Sequence, residues 1–126
     1  MARILVIEDD DQMRGMLRQT LERSGYEVID APDGKVGMNL YSEKRVDLII
    51  TDVVMPEKDG IETIMELRRG SPAVKIIAIS GGGRIGPEDH LLVAKGLGAQ
   101  YTFIKPFELK ELLKAVSALL SEGENL

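Results

Sequence analysis

Five strand-length apolar segments, each followed by a helical pattern, constrain this chain more than any other feature. Arg3-Ile4-Leu5-Val6-Ile7 is the first and Val46-Asp47-Leu48-Ile49-Ile50-Thr51 the third. Runs with so little polar alternation suit strands covered on both faces, as in parallel sheets. Tyr26-Glu27-Val28-Ile29-Asp30 alternates and reads as the second strand. Val74-Lys75-Ile76-Ile77-Ala78-Ile79 reads as the fourth, ending at Ser80, and Tyr101-Thr102-Phe103-Ile104 as the fifth. Strands alternating with short helices predict an α/β fold, a doubly wound five-stranded parallel sheet with helices on both faces. Right-handed crossovers leave few arrangements, and the pattern alone does not choose among them.

The helices have their own signals. Met13, Met16, Leu17, Thr20 and Leu21 fall at helical spacing after Glu8-Asp9-Asp10-Asp11, and Ser24-Gly25 stops them. Asp10 and Asp11 read as an N-terminal cap and a complement to the helix dipole. Ala31-Pro32-Asp33-Gly34 is a turn in which Asp33 can cap a second helix carrying Val36, Leu40 and Tyr41. Gly37 sits inside that helix at a cost of about 1 kcal/mol relative to Ala. A third helix spans Ile61 to Arg69 and a fourth runs from about Glu88 to Leu97. The fifth places Leu109, Leu112, Leu113, Val116, Leu119 and Leu120 on one stripe with Lys110, Glu111 and Lys114 opposite. At 126 residues this is a single domain, 1–126, with a core from about residue 2 to residue 121.

Composition excludes several classes of function. A net charge of −5 opposes nonspecific nucleic-acid binding, which needs a basic face. The absence of cysteine excludes disulfides and thiolate sites. No apolar run reaches membrane-spanning length, and Met1-Ala2-Arg3 leads straight into a strand, so the expectation is a cytoplasmic protein without membrane contact.

Polar groups at the strand ends carry the chemistry. The first strand ends in Glu8-Asp9, the third in Asp52, the fourth in Ser80 and the fifth in Lys105. Parallel strands bring all of them to one edge of the sheet, where open α/β folds bind their ligands. Two carboxylates about 4 Å apart repel by roughly 4 kcal/mol at an effective dielectric of about 20. A divalent hard cation such as Mg²⁺ relieves that repulsion, and a lysine supplies a point charge for a phosphoryl group. The set therefore points to phosphoryl chemistry on Asp52.

Ile4-Leu5-Val6-Ile7-Glu8-Asp9, Asp52-Val53-Val54-Met55-Pro56-Glu57-Lys58-Asp59-Gly60, Ser80 and Lys105-Pro106-Phe107, in this order and at these strand ends, resemble the receiver domain of bacterial two-component response regulators. The resemblance covers essentially the whole chain and includes Ala31-Pro32-Asp33-Gly34 and Gly98-Ala99. It implies a flavodoxin-like sheet of strand order 2-1-3-4-5 with five helices. It also implies an aspartyl phosphate on Asp52, donated by a sensor histidine kinase or phosphotransfer protein. Asp9 would bind Mg²⁺ directly and Glu8 through water, with Asp52 and the Val54 carbonyl completing the protein ligands. Lys105 and Ser80 would hold the transferred oxygens, and Pro106 would follow a cis peptide. Such a domain promotes its own phosphorylation and dephosphorylation without being an enzyme in the usual sense. Its output is a change in partner binding, on the face formed by the fourth helix, fifth strand and last helix, with homodimer formation on phosphorylation a further expectation.

Three departures concern the switch rather than the chemistry. The family usually has an aromatic three residues before the lysine, where this chain has Thr102 between Tyr101 and Phe103. The loop Gly81 to Pro87 is longer and richer in glycine than usual. Val54 and Gly82 stand where polar side chains often flank the phosphoryl group. The glycines of that loop have the most conformational freedom to lose, which makes it the expected mobile element.

Other readings fit less well. A phosphohydrolase using Asp52 transiently commonly needs a second acid two residues later, and Val54 is not one. A receiver-like module that only docks partners would lack the Asp, the acid pair or the lysine, and all are present. Gly81-Gly82-Gly83-Arg84-Ile85-Gly86 matches G-x-G-x-x-G, but Pro87 follows at once and the next strand ends in Lys105 instead of an acid. His90, the lone histidine, reads as a surface helix residue. The chain ends soon after the last helix, which suits either a stand-alone receiver or a fragment of a longer regulator.

Overall fold

The computed structural model of the chain describes residues 2–53, 60–71, 73–81, 92, 95–96 and 98–121. In order, these residues form β1 (Arg3–Ile7), α1 (Asp11–Arg23), β2 (Glu27–Ala31), α2 (Gly34–Glu43), β3 (Leu48–Asp52), α3 (Gly60–Gly70), β4 (Ile76–Ser80), β5 (Tyr101–Ile104) and α4 (Leu109–Ser121). The helix expected from about Glu88 to Leu97 falls largely outside the described residues; Leu92, Lys95 and Gly96 within it are helical.

All neighbouring strands pair in parallel, in the order β2-β1-β3-β4-β5. The flavodoxin-like topology is therefore the one the resemblance implied. β3 and β4 are buried at every position, and β1 is buried from Ile4 onward. Their lack of polar alternation follows, since neither face meets water.

Two cores sandwich the sheet. On one face, Leu17 and Leu21 of α1 and Leu112, Val116 and Leu119 of α4 cover Ile4, Val6, Ile50, Ile77 and Ile79. On the other, Ile64 and Leu67 of α3, flanked by Met38, Leu40 and Tyr41 of α2, cover Leu5, Ile7, Ile49 and Ala78. The apolar stripe predicted for the last helix is the face that α4 buries. Caps begin the first two helices: Asp10 Oδ1 accepts from the amides of Gln12 (2.9 Å) and Met13 (3.1 Å), and Asp33 Oδ1 accepts from Val36 (2.9 Å). Such caps are each worth about 1 kcal/mol.

Some boundaries differ from the sequence reading, for local reasons. The Tyr26 amide is drawn to the Leu21 carbonyl (3.2 Å) as α1 ends, so β2 starts at Glu27. The Val74 amide closes a turn on Ser71 (3.0 Å), so β4 starts at Ile76. Gly37 is the larger difference. A Cβ at that position would lie 2.5 Å from Ile7 Cδ1, so glycine is what lets α2 press onto the end of β1. Its propensity cost is offset by a close packing that positions the strand end carrying Glu8.

Candidate functional site

Each polar strand end is held by the sheet ladder continuing one residue further. The Glu8 amide donates to the Ala31 carbonyl (3.0 Å), Val53 to Ile79 (2.8 Å) and Lys105 to Ser80 (2.8 Å). The carboxyl ends of β1, β3, β4 and β5 thus share one edge, and the apolar residues before them bury that edge. Glu8 is 1% and Asp52 5% exposed, Ser80 is fully buried, and Asp9 faces solvent.

The side chains converge. Lys105 Nζ donates to Asp52 Oδ2 at 3.0 Å and lies 2.8 Å from Glu8 Oε1. The second contact is a close ion pair whose alignment is poor for a hydrogen bond. Glu8 Oε2 accepts from the Asp10 amide at 3.1 Å. The carboxylates of Glu8, Asp9 and Asp52 offer oxygens within 4.8 Å of one another. In the sequence argument the lysine is reserved for a phosphoryl group and the acids are left to repel. In the structure the ammonium already sits between the two buried carboxylates.

The protonation equilibria follow from this. Burial pushes the Glu8 carboxyl up from 4.5 to about 7; the Lys105 ammonium opposes the rise and the nearby Asp52 adds to it. Burial works against the charged Lys105, but Glu8 and Asp52 outweigh it and hold the ammonium's pKa above its ordinary value.

The donor set fits a hard divalent cation. It consists of three carboxylates, two buried and one open to solvent, with no nitrogen or sulfur among the three acids that meet. All-oxygen donors suit Mg²⁺ or Mn²⁺ over the softer metals. The Ser80 Oγ is buried without a hydrogen-bond partner among the described residues, as expected of a hydroxyl that serves a ligand.

Two residues have roles here that the sequence reading did not give them. A Cβ at Gly81 would lie 2.5 Å from Lys105 Cβ and 2.8 Å from its Cδ. The first glycine of the loop is thus required because the lysine stem crosses it, and the run of glycines hid that role. Arg14 Nη1 donates to the Glu8 carbonyl at 2.9 Å, while the same guanidinium pairs with Asp11 (2.6 Å) and Asp30 (3.4 Å). The one hint in the sequence is its place early in the helix that follows the acids.

The remaining candidates divide. Thr102 is half-buried and pairs with Ala78, two residues back along β5 from the partner of Ser80. Its neighbour Phe103 packs toward α4 and stacks against Phe107 at 5.6 Å between centroids. The Lys105–Pro106 peptide is cis. The Val54 carbonyl, Gly82 and the rest of the loop to Pro87, and His90 lie outside the described residues. Among the described residues, no helix is long and apolar enough to cross a membrane.

Comparison with known proteins agrees with this arrangement. The family model of the response regulator receiver domain matches residues 4–117. The chemotaxis protein CheY of Thermotoga maritima is 32% identical over 116 residues, covering 91% of this chain and 94% of that protein. The alkaline phosphatase synthesis transcriptional regulatory protein PhoP of Bacillus subtilis is 34% identical over 122 residues, 97% of this chain but 50% of that protein. The chain thus spans about half the length of several curated relatives it matches. A receiver domain protein from Clostridium thermocellum superposes with a TM-score of 0.89 at 27% identity, over 98% of each chain. The Thermotoga maritima response regulator TrrA, solved with Mg²⁺ and BeF, gives 0.84 at 29% identity over 95% of this chain and all of that one.

Proposed function

The chain belongs to the response regulator receiver domains of two-component systems, and from that premise we propose that Asp52 is its phosphoacceptor. The observation that carries the assignment is the Lys105 ammonium, 3.0 Å from Asp52 Oδ2 and 2.8 Å from Glu8 at the buried sheet edge. That ammonium is in place to meet incoming phosphoryl oxygens beside the acid that ends the central strand of the sheet.

A carboxylate oxygen of Asp52 attacks the phosphorus of a phosphohistidine on a sensor histidine kinase or phosphotransfer protein. The P–O bond forms as the P–N bond breaks, and the imidazole leaves with the electron pair and takes up a proton. Lys105 keeps its charge throughout, as its raised pKa ensures, and turns from Glu8 toward a phosphoryl oxygen. The Ser80 hydroxyl donates to another. Glu8, Asp9, Asp52 and the Val54 carbonyl would hold Mg²⁺, which when bound neutralises the charge gathered on the acids and the phosphoryl oxygens. Water attacking the same phosphorus releases inorganic phosphate and restores the Asp52 carboxylate, so the domain also promotes its own dephosphorylation.

The test is intact-mass spectrometry after incubation with acetyl phosphate and Mg²⁺. One phosphoryl group is expected on the wild type and none on Asp52→Asn; equal labelling of both would sink the assignment.

The signal leaves by recruitment of Ser80 toward the phosphoryl group. Thr102 is too small to fill the vacated space as an aromatic would, which leaves the loop Gly81 to Pro87 to order itself and move the helix after it. A protein partner, or a second copy of the chain, then reads the face formed by that helix, β5 and α4. Hydrogen exchange with and without beryllofluoride checks this route, which unchanged protection across residues 81–97 alongside changes elsewhere would exclude. The transcriptional role named for PhoP stays with that longer protein.

A further inference from the structure

Of the three acids that meet at the sheet edge, two are consecutive, and the peptide between them has an unusual support. The Glu8 amide is tied to β2 through Ala31 (3.0 Å), and its carboxylate to the Asp10 amide (3.1 Å) and Lys105. Its carbonyl lies within reach of α1. Arg14 Nη1 takes it at 2.9 Å. Only 19% of the Arg14 side chain is exposed, and its other nitrogens are committed to Asp11 at 2.6 Å and to Asp30 on β2 at 3.4 Å. A planar fork bound on three sides cannot swing freely, and a lysine has no geometry with which to replace it.

We infer that Arg14 is a positioning residue for the metal site: its guanidinium, braced on Asp11 and Asp30, clamps the Glu8–Asp9 peptide so that both side chains meet Asp52. The inference rests on the proposed reading of those acids as Mg²⁺ ligands. Arg14 touches no carboxylate of the cluster. It acts as hydrogen-bonded groups behind metal ligands do, by fixing where the ligands stand.

Charge and position predict opposite signs, which makes the idea testable. Arg14 is a cation beside an acidic cluster, so by Coulomb's law alone its removal strengthens Mg²⁺ binding. If it positions the acids, its removal weakens binding. Arg18 is the control: it lies one turn on, carries the same charge and pairs with the same Asp30 at 2.9 Å, yet its partners among the described residues are Asp30 and Glu22, not Glu8.

The experiment is a Mg²⁺ titration of the unphosphorylated protein followed by amide chemical shifts, with the melting temperature of each metal-free variant measured alongside. For Arg14→Ala we expect Mg²⁺ affinity to fall about tenfold or more, the range for lost support behind a metal ligand. Arg14→Lys, which keeps the charge and the fold, should fall nearly as far, and Arg18→Ala should bind as tightly as the wild type or more tightly. Binding by Arg14→Ala and Arg14→Lys at wild-type strength or above would overturn the inference while leaving the metal site standing. A wild type that binds no Mg²⁺ would overturn the metal reading and this inference together.

Discussion

The two ends of the sheet handle charge in opposite ways. At the amino end, Arg3 pairs with Glu27 at 3.2 Å and Arg45 with Asp47 at 3.6 Å, and the side chains of these four residues range from 27% to 78% exposed. Each of these two cations has its own anion, and water screens both pairs. At the carboxyl end, the ion pairs among the described residues give two buried carboxylates, Glu8 and Asp52, one ammonium to share, with Asp9 close by. Balanced, exposed pairs decorate a fold. A buried, unbalanced set is held at a cost in stability, and it is where a protein keeps charge ready for a ligand.

Removing the shared cation should break the contrast most. Lys105→Ala takes from Glu8 and Asp52 the ammonium they share, and breaking a buried pair this way costs about 3 kcal/mol. Thermal melting at neutral pH without metal should show the loss, and added Mg²⁺ should restore part of it. A variant that melts with the wild type would mean the carboxylates do not need the lysine. Phosphorylation of Asp52 should also slow, because the same ammonium meets the phosphoryl oxygens.

Next comes the pH dependence of the buried end. Burial raises Glu8 from 4.5 to about 7, so the folded state binds its proton more tightly than the unfolded chain. The associated stability is fully present below about pH 4.5 and is lost as pH rises through about 7. At about 1.4 kcal/mol per pH unit the swing is of order 3 kcal/mol. Melting curves of the metal-free wild type and Glu8→Gln should therefore converge on acidification and separate toward neutrality, with Glu8→Gln the more stable of the two at pH 7. Parallel curves would refute the assignment. Mg²⁺ affinity should rise with pH across the same window, since the metal requires the Glu8 anion.

The smallest effect belongs to the other end. Arg3→Ala removes an exposed pair and should lower stability by about 1 kcal/mol at most. That loss should shrink in high salt, whereas the Lys105→Ala loss should persist.

Much of this was legible in advance. The continuous apolar runs at Ile4–Ile7 and Leu48–Ile50 announced strands buried on both faces, and the acids, serine and lysine at their ends announced the edge where the chemistry would sit. Asp10 and Asp33 read as helix caps and are caps. Glycines were the poorest guide. Gly37 read as a local weakness and Gly81 as loop freedom, yet each is the point where another side chain, Ile7 or Lys105, passes too close for a Cβ. A glycine's neighbours in the chain say nothing about which distant atom fills the space beside it.

Periodicity and turn chemistry are properties of neighbours in the chain, so the residues alone were enough for the strands, the four helices among the described residues, their alternation and the list of polar strand ends. The strand order came from likeness to a family, and only pairing across the sheet established it. Which cation shares which acids, how far burial lifts Glu8, and that Arg14 reaches back to the Glu8 carbonyl depend on contacts between residues 6 to 97 positions apart. Those contacts exist because the sheet stacks Glu8, Asp52 and Lys105 at one edge and excludes water from around them. Dielectric and distance are set by that packing, and the order of residues carries neither.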